Sequence, residues 1–161
     1  MVNQMKKVHI LIIITFLTAG LLGACSKQES VDIEYPVIDL TVSGAFPQQC
    51  SELTRGQRIS FKARFSDNVA LGSYSLDVHH NFDHHSHSTE LLSCTMEADK
   101  APVKPFLMIR NFTIPENLKE YEAIAELEIP ADIDSGDYHF LIRLTDKEGW
   151  QTLKGLSIKI K

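Results

Sequence analysis

Between residues 58 and 65 the chain alternates strictly, with Ile59, Phe61, Ala63 and Phe65 apolar and Arg58, Ser60, Lys62 and Arg64 polar. Successive side chains on extended backbone point to opposite faces, so this period of two predicts a strand with one face buried. The same pattern recurs, less cleanly, over Ser73 to His80, Phe106 to Ile114, Tyr121 to Ile129, Gly136 to Thr145 and Thr152 to Lys161, and Val37 to Val42 is a shorter first candidate. On Ser73 to His80, Leu76 and Val78 take the inner face. Turn-forming clusters separate the runs: Ser66-Asp67-Asn68, Pro115-Glu116-Asn117 and Asp146-Lys147-Glu148-Gly149. Gly149 can adopt the positive φ that such a hairpin loop needs. After residue 25 no apolar stripe at helical spacing appears, so the pattern predicts an all-β domain of about seven short strands in two packed sheets.

One local motif sharpens the fold. Asp134-x-Gly136-x-Tyr138-x-Phe140 resembles the tyrosine corner of immunoglobulin-like domains, in which a tyrosine at the start of strand F returns its hydroxyl to backbone just upstream. Gly136 to Thr145 is then strand F. By order, Arg58 to Phe65 becomes strand B, Ser73 to His80 strand C and Thr152 to Lys161 strand G. The expected architecture is an immunoglobulin-like antiparallel β-sandwich over residues 35–161.

The N-terminus follows a different pattern. Met1 to His9 carries Lys6 and Lys7, and Ile10 to Ala24 follows without a charge, which are the two parts of an export signal. A run of roughly 15 residues is short of the ~20 that a membrane-spanning helix needs. It closes on Leu22-Gly23-Ala24-Cys25, which resembles the lipobox of bacterial lipoproteins, where the cysteine is diacylated and becomes the new N-terminus. Residues 1–24 therefore read as a signal peptide, Cys25 as the lipidation site and residues 25–34 as a polar tether. More than one acyl chain makes a stable membrane anchor. Ser26 is non-acidic, which is similar to outer-membrane sorting, with the periplasmic and the surface face both open.

Composition fits one globular domain: of 161 residues 43% are hydrophobic and 23% charged. The whole chain carries a net charge of −5, and losing Lys6 and Lys7 with the signal peptide leaves it more acidic by two. An acidic surface argues against nucleic acid as a partner. With Cys25 acylated, Cys50 and Cys94 remain as an even pair in an oxidising compartment, where a disulfide between them is expected.

The chain has seven histidines, and five of them, His79, His80, His84, His85 and His87, fall within nine consecutive residues. On extended backbone Asp83, His85 and His87 share one face at spacings of roughly 6–7 Å, close enough for two imidazoles to reach one ion. His80 would alternate toward the core and His84 away from this comb. A remote sixth residue joins them through the fold. With Phe140 and Ile142 inward, His139 faces outward, and strands C and F are antiparallel neighbours, so the end of C carrying His79 lies near the start of F carrying His139. The candidate ligands are His79, His85, His87 and His139, with Asp83 as a further ligand or as a carboxylate fixing a ring tautomer. Nitrogen-rich donors suit Zn²⁺ or Cu²⁺.

Three segments together, His79-x-x-Phe82-Asp83-x-His85-x-His87, Gly136-Asp137-Tyr138-His139-Phe140 and Leu144-Thr145-Asp146-Lys147-x-Gly149, are similar to an uncharacterised family of immunoglobulin-like lipoproteins of Bacteroidota known only as a domain of unknown function. The resemblance implies an exported lipoprotein with a sandwich fold, and no ligand or activity. No spacing such as HExxH marks a catalytic metal site, and no serine or cysteine has a placeable base, so an enzyme is not expected. Two functions remain: an outer-membrane lipoprotein that binds zinc or copper and passes it to, or holds it from, another envelope protein, and a non-catalytic adhesion or interaction module whose histidines are structural or pH-responsive.

Overall fold

The computed structural model describes residues 31–85 and 94–161, so Cys25 and His87 lie outside the described residues. Residues Asp32–Lys161 form one compact unit. Its strands are β1 (Val37–Asp39), β2 (Ser51–Leu53), β3 (Arg58–Ser66), β4 (Leu71–His80), β5 (Met108–Thr113), β6 (Glu120–Glu128), β7 (Gly136–Asp146) and β8 (Gln151–Ile160), and no helix occurs among the described residues. They form a three-stranded sheet in the order β1-β3-β6 and a five-stranded sheet in the order β2-β8-β7-β4-β5. All pairings are antiparallel except β2 with β8. This is an all-β sandwich whose order is consistent with the immunoglobulin-like arrangement, with β3, β4, β7 and β8 in the places of strands B, C, F and G.

The alternating residues build the core. Phe61 and Phe65 of β3, Tyr74, Leu76 and Val78 of β4, Leu127 of β6 and Phe140, Ile142 and Leu144 of β7 are buried between the sheets. Phe61 stacks on Phe140 and on Tyr74 across the interface at centroid separations of 5.9 and 6.2 Å. Each such side chain contributes about 1.5–3 kcal/mol by leaving water, and these inward residues pin the strand register because a slip of one residue would expose all of them.

The tyrosine corner is present. Tyr138 Oη donates to the Asp134 carbonyl at 2.6 Å and accepts the Phe106 N–H at 3.2 Å. Burial pushes the Tyr138 hydroxyl pKa up, which keeps it protonated and able to donate. Cys50 and Cys94 form a disulfide, S–S 2.02 Å and Cα–Cα 5.5 Å.

The elements differ from the sequence expectation in three places. The first strand ends at Asp39 rather than Val42, because Asp39 Oδ1 accepts both the backbone N–H and the hydroxyl of Thr41, at 2.7 Å each, and turns the chain. β5 starts at Met108, two residues after the expected Phe106, whose N–H goes to Tyr138 instead of to a ladder. β2, three residues long, brings the strand number to eight, and it has no alternation of its own to be read: it exists because Ser51, Glu52 and Leu53 pair with Ile158, Lys159 and Ile160 on the edge of β8.

Candidate metal centre

The β4–β7 ladder places His79 opposite His139, one step beyond the inward pair Val78 and Phe140. On the other side of β7, His139 is opposite Ser157 of β8. His79, His139 and Ser157 thus form a row across the outer face of the five-stranded sheet. His139 faces outward as expected, yet its exposure is 0%. The burial has a local cause: the chain after β4 folds back over this row.

That return is a turn, which replaces the extended backbone expected between Asp83 and His85; the His87 end of the expected comb lies outside the described residues. Asn81 N–H donates to the Asp137 carbonyl at 2.8 Å, and His84, in the left-handed region at φ 53°, donates its N–H to the Asn81 carbonyl at 3.3 Å. Asn and Asp favour such compact local bonding over a ladder, so strand β4 stops at His80. The turn swings His85 back onto the sheet. His85 and His139 come to a centroid separation of 4.9 Å, His79 and His139 to 5.4 Å, and His79 and His85 to 5.7 Å.

Each of these three rings has one nitrogen held by an oxygen. His79 Nδ1 lies 2.6 Å from Asp77 Oδ1, and His85 Nδ1 lies 2.6 Å from Asp83 Oδ1. An ionised carboxylate only accepts, so both Nδ1 atoms donate to it. His139 Nε2 lies 3.0 Å from the His85 carbonyl oxygen, which likewise only accepts, so Nε2 is the donor there. The hydrogen bond from His85 holds the Asp83 carboxyl below the usual carboxylate range, which secures the ionised acceptor. An imidazole that donates one N–H to a carboxylate or carbonyl is oriented to offer its other nitrogen to a cation. Asp83 acts here as such an orienting group for His85. Asp77 does the same for His79, a role the sequence reading did not assign; its i−2 spacing, Asp77-x-His79 matching Asp83-x-His85, was the available signal.

The remaining candidates separate. His80 packs its ring on Phe82 at 4.9 Å on the core side, and His84 pairs through Nδ1 with Asp99 Oδ1 at 2.7 Å, away from the three rings. Asp137 is committed elsewhere: its Oδ2 accepts the Glu97 N–H at 2.7 Å and its Oδ1 faces Lys159 Nζ at 3.5 Å. The long β4–β5 connection is anchored to the start of β7 by this bond and to the turn before β7 by Val103 and Lys104 N–H to Asp134 Oδ2, and it is tied to itself by Lys100 N–H to the Phe82 carbonyl. Its Cys94 is fixed to Cys50, and the Cys50 N–H donates to the carbonyl of Ser157, the third member of the row. A cleft of about 420 Å³ opens beside the disulfide, lined by Asn81, Asp137, Tyr138 and Lys159 among others.

With this geometry in hand, the comparisons with known proteins give the family. Residues 23–161 match the model of a domain of unknown function, DUF4625, and the chain belongs to that family. No curated protein matches it. Among solved structures it is similar to the sporulation control protein Spo0M from Bacillus subtilis, at 11% identity and a TM-score of 0.42, over 80% of this chain and 50% of that one. The chain thus spans about half the length of that structure.

Proposed function

We propose that this DUF4625 domain binds a transition-metal ion, Zn²⁺ or Cu²⁺, on the outer face of its five-stranded sheet, with His79, His85 and His139 as ligands; His87, a further ligand expected from the sequence, lies outside the described residues. The observation that carries the reading is the triple of imidazoles within 4.9–5.7 Å, each with one ring nitrogen oriented by an oxygen. Three or four imidazole nitrogens suit these borderline cations, whereas a bridged Cys50–Cys94 pair offers no thiolate to favour Cu⁺. A solvated histidine tract that captures metal by chance would have no use for a buried histidine donated by a strand sixty residues away.

In the cell, Cys25 carries the lipid, the residues between it and Asp32 form the tether, shorter than the 25–34 expected because Asp32 already belongs to the compact unit, and the domain sits on the outer membrane, where it scavenges or buffers the ion or passes it to another envelope protein. No catalytic role is assigned, since the nearby Asp77 and Asp83 serve the histidine rings. The test is elemental analysis of the mature chain, untagged and purified without added metal, beside its His139→Ala and His85→Ala variants. Near-stoichiometric zinc or copper that falls equally in both variants is expected. An empty protein whose weak binding ignores His139 would overturn the metal reading and leave an interaction module with structural histidines.

A further inference from the structure

At a different place in the sandwich, ahead of β1 and at the β7–β8 turn, three carboxylates converge. Asp32, Asp146 and Glu148 each present an oxygen within 4.8 Å of the others. Asp32 and Asp146 are only 5% and 3% exposed, and Glu148 is open to solvent. One oxygen of each buried carboxylate is used: Asp146 Oδ1 accepts the N–H groups of Gly149 and Trp150 at 2.6 and 2.8 Å, and Asp32 Oδ1 accepts the Glu34 N–H at 3.0 Å. The other two, Asp32 Oδ2 and Asp146 Oδ2, are buried and have no hydrogen-bond partner. A buried carboxylate oxygen left unpaired is costly, and two buried carboxylates this close repel as well, so the pair calls for a positive charge between them.

We infer that Asp32, Asp146 and Glu148 form a Ca²⁺ site that fastens the segment preceding β1 to the β7–β8 turn. The donor set is oxygen only, which selects a hard cation and separates this site from the nitrogen donors of the histidine cluster. Ligand oxygens about 2.3–2.6 Å from a shared centre lie at most about 5 Å apart, and the three carboxylates meet that limit. The exposed Glu148 side leaves room for the waters that complete the six to eight ligands Ca²⁺ takes, in an irregular arrangement that the smaller, strictly octahedral Mg²⁺ does not favour. Contacts beside the carboxylates already join the same two segments: Trp150 Nε1 donates to the Asp32 carbonyl at 3.0 Å, and the Tyr35 and Trp150 rings meet edge to face at 5.0 Å. The ion therefore locks the point at which the chain enters the folded unit.

Trp150 is the only tryptophan of the chain and reports on the site directly. The experiment titrates Ca²⁺ into chelator-treated mature protein and follows Trp150 fluorescence and the melting temperature, with Tb³⁺ luminescence excited through Trp150 as a second readout. The expected result is saturable binding with a Kd of about 10⁻⁴–10⁻³ M, as in extracellular calcium modules, and a melting temperature that rises with Ca²⁺. Glu148→Gln, which alters only an exposed side chain, is expected to weaken Ca²⁺ binding at least tenfold with the calcium-free melting temperature unchanged. Asp146→Asn and Asp32→Asn are expected to abolish it, while His79→Ala leaves it intact. A wild-type protein whose fluorescence and melting temperature ignore Ca²⁺ would overturn the site. Equal Ca²⁺ binding by Glu148→Gln and wild type, or loss of the response in His79→Ala, would overturn it too.

Discussion

His79 and His139 face each other across the β4–β7 ladder with ring centroids 5.4 Å apart, although sixty residues separate them in sequence. The antiparallel register makes this juxtaposition, and the rings do not depend on a mobile loop to meet. His85 is different: it reaches them only through the turn at Asn81–His84.

The carboxylates behind the rings are expected to matter almost as much as the rings. Asp77→Asn and Asp83→Asn each remove the acceptor that fixes a proton on Nδ1. Groups of this kind typically change metal affinity by about 10–100-fold. Isothermal titration with Zn²⁺ should show that loss in each variant, with the metal-free melting temperature nearly unchanged for Asp83→Asn, whose carboxylate is exposed, and for the half-buried Asp77 because the isosteric amide keeps its packing.

Metal binding should weaken in acid. A ligating imidazole must be neutral, and an unperturbed histidine takes up a proton near pH 6.5. Affinity is thus expected to fall as the pH is lowered, more steeply than one proton per ion because several rings compete. Zn²⁺ titrations at a series of pH values check this; a pH-independent affinity down to pH 5 would contradict imidazole ligation.

Removing the disulfide should affect both stability and the site. The bridge spans 44 residues of sequence, and a loop of that size corresponds to about 4 kcal/mol in the chain-entropy model. The double variant Cys50→Ser with Cys94→Ser is expected to lose up to that amount in urea unfolding. It should also bind metal more weakly, since Cys94 anchors the connection that carries His85 on the outer face.

Tyr138→Phe keeps the packing and deletes one hydroxyl. The Asp134 carbonyl and the buried Phe106 N–H both lose their partner, so a destabilisation of about 1–3 kcal/mol is expected by denaturant titration.

Asp134 should make the β4–β5 connection sensitive to strong acid. The N–H groups of Val103 and then Lys104 hold its carboxyl below the ordinary carboxylate value. A folded-state pKa lower than the unfolded one means that the contribution is complete above the unfolded value, about 3.9, and is lost as pH falls through the lower folded value. Hydrogen exchange at Val103 and Lys104 is expected to speed up below about pH 4 beyond its intrinsic trend, and to lose that extra pH dependence in Asp134→Asn.

Much of the fold was legible because the core residues alternate. Ile59 to Phe65 and Tyr138 to Leu144 declare which face is buried without reference to anything distant, and the Asp134-x-Gly136-x-Tyr138 spacing declares the corner. The strand order then put His139 beside His79 from topology alone, and the parity of Cys50 and Cys94 was enough to pair them. What depended on non-local contact was not legible. β2 has three residues and is a strand only against the β8 edge; His139 lost its solvent only when His85 folded back; Asp32 meets Asp146 only because the first and last parts of the domain pack together. Periodicity in the sequence determines which face of a strand leaves water, because that choice is made residue by residue. Which polar side chains meet on the other face is decided by how the backbone turns between strands, and only the tertiary structure holds that.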